Sequence, residues 1–187
     1  GSYNYEYLSL CRTGIAKIYV AMETYETTYD INTRKSDIQE RFEAQLALMQ
    51  YTADMNAGAA PVDSIVAFIK SEIGTTDIDN LFSAQKSLIK ALSVQLRGYG
   101  DEAFYEGDGD LYYAYQNYYE ELLELATADL LADFTKMKYD LVEFRSIAGS
   151  TEASVKKTLS FFDNEKRLLA KREARFVKHN LPKAPKK

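Results

Sequence analysis

The sequence predicts an all-α protein, an elongated antiparallel helical bundle of four to six helices. Three observations lead there. The prolines stand at 61, 182 and 185, so the 120 residues between Pro61 and Pro182 contain none. An interior proline removes a backbone hydrogen bond and clashes with the preceding turn, so long proline-free stretches favour helices. Apolar residues recur at steps of three and four along nearly the whole chain. Alternation at period two is confined to "YNYEY" at 3–7, five residues with no partner segment.

The first seam is Leu8, Cys11, Ile15, Ile18, Met22, Tyr25 and Tyr29. It loses phase across the polar, β-branched stretch "TTYDINTRKSDIQ", where Ser36-Asp37-Ile38-Gln39 matches a capping box. It resumes at Ile38, Phe42, Leu46, Met49 and Ala53. Residues 3–56 therefore read either as one helix of ~80 Å or as two helices meeting at 30–36. The break is favoured, because the shorter helices that follow cannot cover so long a rod. "NAGAAP" then stops the helix, and 62–73 reads as a short helix closed by Gly74. "TTDIDN" supplies caps for a helix over 76–98, with Ile78, Leu81, Leu88, Leu92 and Leu96 as its seam. "RGYGDEAFYEGDGD" is the longest expected loop, and Asp110 is placed to cap the helix after it. That helix, 111–148, carries the seam Tyr115, Tyr119, Leu122, Ala126, Leu130, Met137, Leu141 and Phe144. Gly149 suits a left-handed terminus, and Ser150 or Thr151 would cap a last helix over 151–179. Residues 3–179 read as one domain, 180–187 as a disordered basic tail, and Gly1-Ser2 as a remnant of cloning.

Composition narrows the class. Hydrophobic residues make up 46% of the chain, too many for a disordered protein. A single cysteine rules out an intrachain disulfide framework, which slightly favours the cytoplasm over secretion. The net charge of −5 is the difference of two unlike parts. Residues 1–155 carry 12 positive and 25 negative side chains, whereas 156–187 carry 11 positive and 3 negative. Such a split marks either a basic surface for an anionic partner or two segments that attract each other.

The sequence argues against most enzymatic chemistry. His179 is the sole histidine and has Phe176, not a carboxylate, three residues before it, so Glu-x-x-His metal pairs are absent. One cysteine and one histidine cannot build a zinc site. "GYGDEAFYEGDG" lacks the Lys-Ser/Thr of a phosphate loop. "EGDGD" offers Glu106, Asp108 and Asp110 to a hard cation, but Tyr112 and Tyr113 fall where a calcium loop needs an acid and a glycine. That loop reads better as a turn and cap. Cys11 lies on an apolar seam and reads as a small hydrophobe. No enzyme activity, metal or cofactor is expected.

Two surfaces remain. From 98 to 135 there is no Lys or Arg, and Tyr99–Phe134 holds ten carboxylates and seven of the fifteen tyrosines. Tyr112, Tyr115 and Tyr119 continue the core seam of their helix. Tyr113 and Tyr118 are off-seam and, with Glu120, Glu121 and Glu124, are expected to form a partner-binding face. On the last helix, Lys166, Arg167, Lys171, Arg172, Arg175 and Lys178 would suit an anionic surface, or would pair with the acidic segment. The leading expectation is a non-enzymatic protein–protein interaction or scaffold module that binds a protein partner or itself. The second is a peripheral membrane or lipid-binding protein acting through the basic helix. The third is an extracytoplasmic ligand-sensing bundle trimmed of its anchor. Nucleic acid is disfavoured, because the acidic body would repel the polymer.

Overall fold

The computed structural model describes residues 2–31, 37–74, 77–98, 104–142 and 149–182. Seven helices occupy them: α1 (Ser2–Tyr29), α2 (Asp37–Ala57), α3 (Ala59–Glu72), α4 (Ile78–Gly98), α5 (Asp110–Thr127), α6 (Asp129–Val142) and α7 (Gly149–Asn180). The described residues contain no strand, only an isolated bridge between Tyr105 and Asp108. The fold is an all-α helical bundle, as the residue spacing predicts.

The chain gathers into two compact units. One comprises 1–54 with 177–187, the other Met55–Phe176. In the first, α1 stops where Asp30 turns left-handed at φ 52°. The Ile31 N–H then reaches back to the Glu26 carbonyl at 3.2 Å, the closing bond of a Schellman cap. The expected break at 30–36 is therefore present at its first residue, while 32–36 lie outside the described residues. Arg12 on α1 donates to Gln50 on α2 at 2.9 Å, and Gln39 lies 3.9 Å from the Met22 sulfur. As one residue number rises the other falls, so the two helices form an antiparallel hairpin. Leu48 is its one fully buried large apolar residue among those described.

In the second unit α2 passes into α3 through Gly58 alone, and Pro61 sits in the first turn of α3, where its missing N–H costs nothing. Four rods follow up and down: α3, α4, the α5–α6 pair and α7. Gln85 and Phe82 of α4 meet Ala126 and Phe134, so α4 runs antiparallel to α5–α6. Asp133 and Asp140 of α6 accept from α7 hydroxyls, and α7 returns to α3 through Lys70–Asp163 and Lys166–Asp63. Each rod thus has two neighbours, the arrangement of an antiparallel four-helix bundle. Its interior holds the expected seam residues Leu81, Leu88, Leu92, Tyr115, Tyr119 and Leu122, joined by Val62, Ile69, Phe134, Val155 and Phe162.

Three local expectations are corrected. The helix expected over 111–148 is interrupted at Ala128, whose φ/ψ of −103°/−72° separates α5 from α6. The buried Gln85 side chain donates to the Ala126 carbonyl at 2.7 Å, and a side chain entering the helix ladder is a recognised cause of a kink. Asp110 does not cap α5. Glu106 and Gly107 both have positive φ (49° and 87°), the tight turn so formed sets Asp108 in place, and the Asp108 carboxylate accepts the Asp110 N–H at 2.9 Å. Thr151 does not act as a cap either: it is buried and donates to Asp140 at 2.8 Å.

Candidate functional site

The α5 helix divides its residues by face. Leu111, Tyr112, Tyr115, Tyr119 and Leu122 turn inward and are buried. Tyr113, Asn117, Glu120 and Glu124 recur at i, i+4, i+7 and i+11, so they form one stripe on the opposite side, and all four are exposed. Tyr113 is 53% exposed, and the half-exposed Phe104 ring stands 5.5 Å from it. The result is an aromatic pair at the N-terminal end of a row of carboxylates.

Tyr118 does not belong to that face. It is only 5% exposed. The expected partner-binding role assumed an outward ring, but Tyr118 sits one turn before Leu122 and turns toward α3 and α7. Burial raises its phenol pKa, and Asp63, Glu165 and Asp163 raise it further, so the hydroxyl keeps its proton. Glu121 is exposed but leans the same way. With Ala114, Asn117 and Tyr118 it lines a recess of about 320 Å³ whose other wall is Glu165, Leu168, Leu169 and Arg172 of α7.

The basic helix therefore lies along the acidic one. Tyr115 donates to Glu173 at 3.2 Å, and Tyr105 meets Phe176 edge-on at 6.0 Å. Burial raises the Glu173 carboxyl above its ordinary value, while the Tyr115 hydrogen bond pulls it back down. Among the described residues, however, the ion pairs that α7 makes with other helices go to α3 and not to the α5 carboxylates, while Lys156 pairs with Glu152 inside α7. Lys166 binds Asp63, and Lys70 straddles both oxygens of Asp163 at 2.6 and 2.8 Å. Arg167 donates to Asn164 within its own helix at 2.8 Å. Arg167, Lys171, Arg175 and Lys178 recur at three- and four-residue steps and form an exposed basic row. Arg172 points off that row into the recess.

Other expected sites are easily placed. Cys11 is half-buried on α1, and His179 is exposed near the end of α7. Among the described residues no three His, Cys, Asp or Glu side chains converge as a metal group would require. No described helix is long and apolar enough to cross a membrane. Comparison with known protein families, curated proteins and solved structures yields no match.

Proposed function

We propose that the protein is a non-enzymatic helical interaction module whose α5 face docks a basic segment of a protein partner. The observation that carries this reading is the single exposed stripe of Tyr113, Glu120 and Glu124 with Phe104 beside it. An exposed aromatic pair offers contact area at low entropic cost, and the carboxylates beside it select a cationic partner. A Lys/Arg-rich helical peptide carrying one apolar anchor is the matching probe. Titrated against the protein, it is expected to perturb the amides of α5, to weaken with added salt, and to lose most of its affinity to Tyr113→Ala and to Glu120→Lys/Glu124→Lys. Equal binding to all three proteins would sink the proposal.

A second reading draws on the exposed row Arg167, Lys171, Arg175 and Lys178. Four cations on one helical stripe suit an anionic lipid surface, at roughly 1 kcal/mol each close to the headgroups. Co-sedimentation with phosphatidylserine vesicles separates the two readings. Salt-sensitive binding lost in Lys171→Glu/Arg175→Glu, but kept in the α5 variants, favours the membrane.

A further inference from the structure

We propose that the α1–α2 hairpin is a homodimerisation element, and that two copies pair face to face in an antiparallel register centred between residues 19 and 20. The proposal uses neither charged face. It starts from an apolar surface that the described residues leave exposed. At 100° per residue, Cys11, Ile15, Tyr19 and Met22 form the stripe of α1 that meets α2, and all are half-buried. Immediately beside it runs a second stripe, Gly14, Ile18, Ala21 and Tyr25, which contains no charged residue and is exposed throughout. Ile18 is 57% and Tyr25 53% exposed. On α2 the stripe on the same side of the hairpin is Phe42, Gln45 and Met49, again uncharged, with Phe42 46% exposed. The polar Arg12–Gln50 contact lies on the opposite side.

Size and shape name a second copy as the occupant. Leu10 and Tyr29, 72% and 60% exposed, continue the α1 stripe at four-residue steps to a length of about 28 Å, and α2, 8–10 Å away, widens it to about 18 Å over the described length of α2. That is ~500 Å² per copy and ~1,000 Å² in a pair, the area at which specific interfaces begin. A two-fold interface must complement itself, residue i meeting j and j meeting i. Antiparallel pairing of α1 about residues 19–20 places Gly14 of one copy against Tyr25 of the other, and Ile18 against Ala21. In those two pairs a large side chain meets a small one. The hairpin register, set by Arg12–Gln50 and Gln39–Met22, brings Phe42 level with residues 19–20, so Phe42 meets its own mate at the two-fold axis. Gly14 gives independent support. It lies inside a long helix, where glycine is unfavourable, yet a Cβ built there would touch nothing within 4 Å in its own chain. Its smallness serves no contact among the described residues; it leaves room for an incoming ring.

Sedimentation equilibrium on the intact protein tests the proposal. The wild type is expected to reach twice its 21.3 kDa chain mass by about 100 µM. Gly14→Glu meets no atom of its own chain, so it should keep the helical circular dichroism and remain monomeric. Tyr25→Ala should weaken the dimer by at least about tenfold. Register is read with a short bis-maleimide in a Cys11→Ser background. Chains carrying Ile18→Cys mixed with chains carrying Ala21→Cys should cross-link more readily than either alone. A monomeric wild type at that concentration, or a dimer indifferent to Gly14→Glu, overturns the proposal. So does a monomer that binds neutral lipid vesicles through this face, losing them on Gly14→Glu.

Discussion

Tyr113 and Tyr118 stand five residues apart in the same acidic run, yet one is exposed and the other is core. The helical period separates Tyr113 from the leucine seam cleanly, and its exposure was legible in the sequence. Tyr118 sits at the seam's edge, and its burial depends on α3 and α7 arriving beside it, which one helix's spacing cannot encode. Tyr118→Ala is therefore expected to cost about 3 kcal/mol by urea denaturation. Tyr113→Ala should stay within about 0.5 kcal/mol while weakening the proposed docking of the basic peptide. Glu173 gives a pH prediction. Its carboxyl titrates above the ordinary 4.5 in the folded state. It therefore favours the fold while protonated, a contribution complete below pH 4.5 and lost as the pH climbs through the raised value. Glu173→Gln keeps an acceptor for Tyr115 and removes the half-buried charge. Its melting temperature should exceed the wild type's at pH 7 and match it near pH 4.

Helix boundaries were legible at the local signals that end α1 and α2, whereas Gly149, expected at a helix terminus in the left-handed conformation, is instead the first residue of α7. Gly58 and Pro61 divide α2 from α3, and the polar stretch after Tyr29 ends α1. The α5–α6 interruption has no such signal, because "ATADLL" contains neither glycine nor proline. The contact beside it is tertiary: Gln85, forty-one residues away from Ala126, donates to the Ala126 carbonyl. The α6–α7 contact is likewise tertiary: the buried Asp133 accepts from Ser154 at 2.7 Å and Thr158 at 2.8 Å. Asp133→Ala leaves both hydroxyls without that acceptor and is expected to cost about 2 kcal/mol, read from the denaturant midpoint. Lys70–Asp163 and Lys166–Asp63 join α7 to α3 at exposed positions. Lys70→Ala should cost under about 1 kcal/mol, shrinking further in high salt.

Across the whole molecule the buried apolar residues concentrate in 55–176, whereas 9–54 contribute only Leu48 among the described large apolar side chains. Hydrogen exchange at low micromolar concentration should therefore find α4 and α5 slowest and α1 fastest, because protection follows the density of buried contacts. Protection of α1 should rise with protein concentration if the hairpin pairs with a second copy; concentration-independent exchange would count against that pairing. The helical class, the seams of α4 and α5, the outward stripe of Tyr113, Glu120 and Glu124 and the charge split were determined by the sequence, because proline placement and apolar periodicity act within a single helix; the seam expected along α1 and α2 is corrected, since Ile18, Tyr25, Tyr29 and Phe42 are exposed and Tyr19 turns inward where Ile18 was expected. Which charges meet was decided only by the tertiary structure. The basic helix lies along the acidic one, yet Lys166 takes Asp63 of α3, and the α5 carboxylates Glu120 and Glu124 face outward. The direction of a long side chain is set by which rods stand on either side of it, and that depends on the packing of all four.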